Sequence, residues 1–337
     1  MTTQPATASA TTDSTGAYYL PLQSGAYNVI FSAPGFNSNF SGPVVVPANG
    51  MATAGQSLVP NSALIAQDLF SRPDQTGLGT ASDGHAWSND LGLYPAGQAN
   101  ITARQAFVQT AAANTDHDTW SGIAYRDQEV MADVDAVTVL SDPVYQHGGR
   151  LLTRVQGPDI WLTLALNPSN DTVTLWIDNG GNWTQIASAS LVLHPGTWYH
   201  AKLDAVGTTV QGKAWAIGSA EPTWQVTATQ STLMASGVGG LRVGAADVYF
   251  ANYSESPITQ ISGTVTAASS GAALAGATLT LGGGQTTTSD SAGRYTFPSL
   301  AAGTYTVTAS SAGHAPGSVT VTVSTGLSAT GSNLTLS

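Results

Sequence analysis

The sequence predicts an all-β protein, a central antiparallel sandwich between two small β-sandwiches of which the first is incomplete. Three observations carry that prediction. Short alternating apolar runs recur between Gly, Pro, Asn and Asp at the roughly 8–12-residue spacing of sandwich folds, and no stretch keeps a helical period. All eight tryptophans lie between Trp87 and Trp224, so the composition shifts sharply near residues 60 and 257 and marks two boundaries. A pattern close to the C-terminus also returns at the N-terminus.

That repeat defines the first element, residues 1–60. Thr-Asp-Ser-Thr-Gly-Ala-Tyr-Tyr-Leu-Pro from residue 12 answers Ser-Asp-Ser-Ala-Gly-Arg-Tyr-Thr-Phe-Pro from residue 289. Asp13 thereby matches Asp290, Gly16 matches Gly293, Tyr18 matches Tyr295, Gly25 matches Gly303 and Tyr27 matches Tyr305. The C-terminal copy carries Ser262–Thr287 in front, which the N-terminal copy lacks. A repeat without its first strands is either a piece of a longer array or an acceptor for a strand from elsewhere. In the second case an open apolar face of Tyr18, Leu20, Tyr27 and Val29 takes a strand from another chain, which gives self-association. The Thr-rich run at residues 2–12 is the candidate to fold back over part of the gap.

The second element, residues 61–257, holds clear strands at 160–166, 172–177 and 208–217. The third, residues 258–337, ends in an alternating Val run at 319–323. In both copies of the repeat the Asp-to-Gly stretch reads as a turn, with Gly supplying an unusual φ and Asp capping backbone N–H groups.

Composition excludes several functions. The net charge is −11 and only two lysines, Lys202 and Lys213, are present, so no basic stripe exists to neutralise phosphates or anionic lipid. There is no cysteine, which rules out a thiol nucleophile, a thiolate metal site and disulfides. No apolar run reaches membrane-spanning length, and the first ten residues have neither part of a signal peptide. Only 9% of residues are charged, and Asn-X-Ser/Thr triplets stand at Asn39, Asn100, Asn170, Asn182, Asn252 and Asn333. Both features fit an extracellular or cell-surface protein.

The C-terminal pattern, Ile261-Ser-Gly-Thr-Val-Thr followed by Gly276-Ala-Thr-Leu-Thr-Leu, Asp290-Ser-Ala-Gly-Arg-Tyr-Thr-Phe and Gly303-Thr-Tyr-Thr-Val, resembles the carboxypeptidase regulatory-like family. The resemblance covers 261–337 and, in part, 10–60. It implies prealbumin-like β-sandwiches that act as spacers or interaction modules. Residues 62–256 resemble concanavalin A-like and laminin G-like jelly rolls, through Asp68-Leu-Phe-Ser-Arg72, Asp83-Gly-His-Ala-Trp87, Gly196-Thr-Trp-Tyr199, the segment from Lys213 to Trp224, and Asp247-Val-Tyr-Phe-Ala-Asn. That resemblance implies a structural Ca²⁺ held through oxygen ligands, with Asp68 and Asp247 in the matching positions.

No catalytic constellation is legible. Jelly-roll glycosidases carry a tight Glu-X-Asp-X-X-Glu cluster, and the nearest run here is Asp127-Gln-Glu129-Val-Met-Ala-Asp133-Val-Asp135. Its acids share one strand face, opposite Val130, Ala132 and Val134, which reads as a solvated outer face.

The stronger signal is aromatic. Ile160, Leu162, Leu164 and Leu166 define one face of a strand and turn Trp161 away; Val173, Leu175 and Ile177 do the same for Trp176 and Asp178. Indole faces stack on the C–H face of sugars while polar neighbours bond hydroxyls. One reading is therefore a glycan site of Trp161, Trp176, Trp198 and Tyr125 with Arg154, Asp178 and His200 as polar partners. The other is that both sheet faces are covered and these tryptophans are packing. The expected function is non-catalytic adhesion or recognition at a surface, with the centre as binding head. The alternative is a fibre subunit assembled by strand complementation.

Overall fold

The computed structural model describes residues 2–4, 8–13, 16–31, 39–55, 66–89, 98–109, 116–139, 148–157, 159–244, 246–282, 285–298 and 300–337. Every regular element among them is a strand. The expected runs appear as Ile160–Asn167, Thr172–Asn179, Thr209–Ala216 and Gly317–Val323.

In the first module β1 (Thr2–Gln4), β2 (Gly25–Phe31) and β3 (Asn39–Val46) form one antiparallel sheet in that order. The repeat holds down to single hydrogen bonds. Gly16 N–H donates to the Asp13 carbonyl at 3.1 Å and Ala17 N–H to Asp13 Oδ1 at 3.0 Å. In the other copy Gly293 N–H donates to the Asp290 carbonyl at 2.9 Å and Arg294 N–H to Asp290 Oδ1 at 2.8 Å. Gly16 and Gly293 have φ of +83° and +71°, so both need the freedom of glycine. Tyr27 and Tyr305 each donate to the carbonyl four residues back, Gln23 and Ala301.

The acceptor face expected around Tyr18, Leu20, Tyr27 and Val29 is not open. Tyr27 and Val29 are buried, and Tyr18, half-buried, lies edge-on to Phe31 with its hydroxyl on the Ala54 carbonyl at 2.7 Å. Leu20 is half-buried as well. The edge of β2 over residues 28–30 is taken by β1, where Thr3 stands opposite Val29. The Thr-rich N-terminal run supplies its own strand.

The last module is a two-sheet sandwich. One sheet runs β22 (Thr286–Thr288), β21 (Thr278–Leu281), β24 (Gly303–Ser310), β25 (Gly317–Val323); the other runs β23 (Arg294–Phe297), β20 (Ile261–Ala267), β26 (Leu334–Leu336). β26 joins β20 in parallel. Leu281 stands opposite Val307 in β24, the register that Thr3 takes opposite Val29, so β1 occupies the place of β21. Among the described N-terminal residues β20, β22, β23 and β26 have no strand counterpart, so the whole second sheet is unmatched there.

The central module is a sandwich of two larger sheets. The nine-stranded sheet is β17 (Val226–Thr229), β16 (Thr209–Ala216), β15 (Tyr199–Val206), β10 (Gln128–Val139), β19 (Ala246–Pro257), β8 (Gln105–Gln109), β7 (Gln98–Thr102) and β5 (Gln75–Thr76), with β4 (Ala66–Asp68) also on β19. The seven-stranded sheet is β14 (Trp183–Ser190), β13 (Thr172–Asn179), β12 (Ile160–Asn167), β11 (Gly148–Gly157), β18 (Gly237–Gly244), β9 (Asp116–Tyr125) and β6 (Ser88–Asn89). Leu162, Leu164, Val173 and Leu175 meet Val130, Val134, Leu203 and Phe250 in the dry space between the sheets. Gly212 is needed for this approach, because a Cβ there would lie 2.3 Å from Leu164 Cδ1.

The outer face of β10 is not the solvated face that its acids suggest. Asp133 and Asp135 are buried. Asp133 accepts from Asn252 Nδ2 at 2.6 Å and lies 2.6 Å from His200 Nδ1, while Glu129 pairs with Lys202 at 2.5 Å. Burial pushes the Asp135 carboxyl above its ordinary range.

One buried carboxylate is central to the junction between the jelly roll and the last module. Asp127 accepts from Arg126 Nε at 2.9 Å and Nη2 at 2.8 Å, from Gly207 N–H at 2.9 Å, and from Ser328 N–H at 2.7 Å across the module boundary. Arg126 Nη2 also donates to the Ser328 carbonyl at 3.0 Å. Gly326 lies against the ring of Tyr125, where a Cβ would come within 2.1 Å.

Candidate functional site

The outward face of the seven-stranded sheet gathers three tryptophans and two arginines. Strand alternation sends Trp161 out of β12, and Trp176 and Asp178 out of β13, as the sequence pattern requires. The β13–β14 hairpin turns through Gly180 and Gly181, with φ of +69° and +82°, and Asp178 Oδ1 accepts from Gly181 N–H at 2.8 Å. This turn places Trp183 directly opposite Asp178 in register, so that a third indole joins the same face.

These side chains stack in two layers. Trp161 is fully buried and makes a small apolar cluster with Leu152 and Val155. Trp183 stands over it edge-to-face, with centroids 4.7 Å apart and planes at 82°, and keeps 36% of its surface in solvent. Trp176, half-buried, flanks Trp183 at 6.5 Å and donates its Nε1–H to Thr174 Oγ1 at 3.0 Å. The Arg242 guanidinium lies 4.5 Å from the centroids of both Trp161 and Trp183, and Arg150 lies 5.5 Å from Trp183.

Arg150 and Arg242 are direct cross-strand partners on β11 and β18. Like charges so placed repel, and the π faces against them supply compensating attraction. Trp161 Nε1 is buried with no hydrogen-bond partner among the described residues, beneath the exposed ring. The assembly is an apolar platform braced from beneath by two buried guanidinium groups, a shape suited to stacking against a ring with a C–H face.

The structure brings together only part of the expected site. Trp161, Trp176 and Asp178 share the face, yet Trp161 is the inner layer rather than the stacking surface. Arg154 is elsewhere: at φ +52° it is wholly buried, and its guanidinium is spent on the carbonyls of Arg126, Leu233 and Gly207 at 2.6, 2.7 and 2.8 Å. Tyr125 packs at the junction with the last module. His200 sits on the outer face of the other sheet, bound to Asp133 and 5.1 Å from the Trp215 ring. Trp198 precedes β15 and is half-buried, with its carbonyl held by Ile217 N–H at 3.0 Å. Trp183, Arg150 and Arg242 are the residues that the alternation argument missed. The Gly180-Gly181 turn was the available signal, because counting across the hairpin puts Trp183 opposite Asp178.

The two aspartates expected to share Ca²⁺ are far apart. Asp68 pairs with Tyr253 on β19, and Asp247 lies on the same strand, a separation of roughly 20 Å at ~3.3 Å per residue. Asp68 is also saturated with protein donors: Arg72 Nη1 and Nη2 at 2.7 and 2.9 Å, Trp87 Nε1 at 2.7 Å, Ser82 Oγ at 3.0 Å and Phe70 N–H at 2.8 Å. It is a buried anchor for the start of the module.

Solved structures similar to this chain include a carbohydrate binding module, CBM66, from Bacillus subtilis, at 18% identity over 50% of this chain and 94% of that one, with a TM-score of 0.40. A protein of unknown function with a galectin-like fold from Bacillus subtilis is similar at 12% identity, over 58% and 96% of the two chains, with a TM-score of 0.40. The exoplasmic/lumenal domain of VIP36 in its Ca²⁺/mannose-bound form is similar at 10% identity, over 51% and 82%, with a TM-score of 0.38. No curated protein matches the chain in sequence. Residues 260–337 match the family of carboxypeptidase regulatory-like domains.

Proposed function

We propose that the protein is a non-catalytic recognition protein of an extracellular or cell-surface setting, whose jelly roll holds a glycan on the outer face of the seven-stranded sheet. The flanking modules act as spacers. The observation that carries this reading is Trp183, partly exposed and braced from beneath by Trp161 and Arg242. A ring so supported is pre-organised, so stacking costs little side-chain entropy. Asp178, opposite Trp183 in register, spends Oδ1 on its own turn, which favours binding over bond cleavage.

Affinity electrophoresis of the full chain in gels containing soluble glucan, mannan, xylan or fructan tests this. Trp183→Ala is expected to weaken retardation by about tenfold or more, since stacking contacts are worth ~1–3 kcal/mol, with a smaller drop in the melting midpoint than Trp161→Ala. The larger drop in Trp161→Ala follows because that ring is an interior group. Retardation that is indifferent to Trp183→Ala would rule this face out.

A further inference from the structure

A second site lies on the far side of the jelly roll. A cleft of about 620 Å³ runs between the outer face of the nine-stranded sheet and the last module, within the ~300–1,000 Å³ range of ligand sites. Asp204, Gln211 and Trp224 line it from the jelly roll; Thr264, Arg294 and Thr296 line it from the C-terminal sandwich.

Its walls are fixed relative to each other. Besides the bond from Ser328 N–H to Asp127, Asp127 N–H donates to the Gly326 carbonyl at 3.0 Å and Arg126 Nη2 to the Ser328 carbonyl at 3.0 Å. Gly207 approaches Thr330 so closely that a Cβ would lie 3.3 Å from its Oγ1. The cleft is therefore preformed.

The chemistry of the lining selects a ligand class. Trp224 is half-buried, and the Lys213 ammonium stands 4.4 Å from its ring centroid, fixing the indole in place. Lys213 and Lys202 are themselves neutralised by Glu221 at 2.8 Å and Glu129 at 2.5 Å. Asp204 Oδ1 is buried with no hydrogen-bond partner among the described residues. Burial first, and the neighbouring Glu129 second, push the Asp204 carboxyl well above its usual range. The remaining lining is dominated by hydroxyl and amide side chains. A fixed indole, an orphaned carboxyl oxygen and a ring of neutral donors and acceptors match a polyhydroxylated ligand.

We infer that this intermodule cleft is a second saccharide site, taking a short neutral oligosaccharide segment between Trp224 and Arg294. It is independent of the Trp183 face, and the two lie on opposite sheets. A chain with both sites cross-links polysaccharide strands and gains avidity.

The test uses the full chain in the same gels of soluble glucan, mannan, xylan and fructan. The variants are Trp224→Ala, Thr296→Trp and Trp183→Ala, each checked for an unchanged far-ultraviolet spectrum. Thr296 is exposed, so Thr296→Trp fills the cleft without touching a core. The expected result is that Trp224→Ala and Thr296→Trp each weaken retardation about tenfold, and that either adds to the effect of Trp183→Ala. Retardation abolished by Trp183→Ala and indifferent to both cleft variants overturns the second site and leaves the first standing. Retardation lost in the cleft variants alone supports the second site and overturns the first. No retardation by any of the four polysaccharides overturns both, and binding of a peptide library competed by Thr296→Trp would reassign the cleft to an extended chain.

Discussion

Replacing Glu255 by glutamine is expected to stabilise the protein at alkaline pH relative to acid pH by on the order of 4–5 kcal/mol. Glu255 is fully buried between the sheets, in space that two glycines leave free: a Cβ on Gly122 would lie 2.4 Å from its Oε2, and one on Gly239 2.8 Å from its Cδ. Gly239 N–H donates to Oε1 at 2.7 Å, and the Tyr253 hydroxyl donates to Oε2 at 3.2 Å. These bonds do not offset burial, which pushes the carboxyl up from 4.5 to about 8.

The sign follows from proton counting. Between pH 4.5 and about 8 the unfolded chain has released this proton and the folded chain keeps it. Stability from this group is therefore complete below pH 4.5 and falls by about 1.4 kcal/mol per pH unit until the folded carboxyl ionises near 8. Asp204 and Asp135, both raised by burial, act in the same direction. The difference between wild type and Glu255→Gln isolates Glu255, because glutamine keeps an acceptor for Gly239 and has no proton to lose. Denaturant titrations at pH 5 and pH 8.5 measure it. Equal pH slopes in the two proteins would show that Glu255 is ionised in the fold.

Asp127→Ala is expected to cost about 3–5 kcal/mol and to uncouple the last module from the jelly roll. The cost arises less from lost attraction than from what remains. The Arg154 guanidinium, wholly buried, has only Asp127 as a carboxylate partner among the described residues, at 3.5 Å. Burial pulls Arg154 down to about 10 even with that carboxylate present. The Ser328 and Gly207 N–H groups lose their acceptor too. Calorimetry should show one transition becoming two, with the C-terminal sandwich melting by itself. Pairing Asp127→Ala with Arg154→Met should recover part of the loss, because no buried charge is then left alone. A single unshifted transition in Asp127→Ala would mean that the modules are joined by other contacts.

The two predictions concern groups of opposite legibility. Glu255 sits beside the boundary near residue 257, and nothing in its sequence neighbours marks it as buried. Asp127 was visible as the first acid of a charged run, but its partner Ser328 lies 201 positions away. Burial and long-range pairing are properties of the sandwich, since one strand face becomes interior only when another sheet or module covers it.

Local periodicity and turn chemistry were readable in the chain before any tertiary contact was known. Alternation assigned Leu162, Leu164, Val173 and Leu175 to the core and turned Trp161 and Trp176 the other way, because successive side chains of a strand point to opposite faces. The Asp-to-Gly turns of the two repeat copies were equally legible, since their hydrogen bonds span only four residues. Tertiary structure alone decided how many layers cover each face. It made Trp161 an inner ring and Trp183 the outer one, spent Arg154 on a junction, closed the edge of β2 with Thr2–Gln4, and opened a cleft at Trp224. Each of these depends on which distant segment arrives against a given strand, and strand periodicity is blind to what covers its outward side.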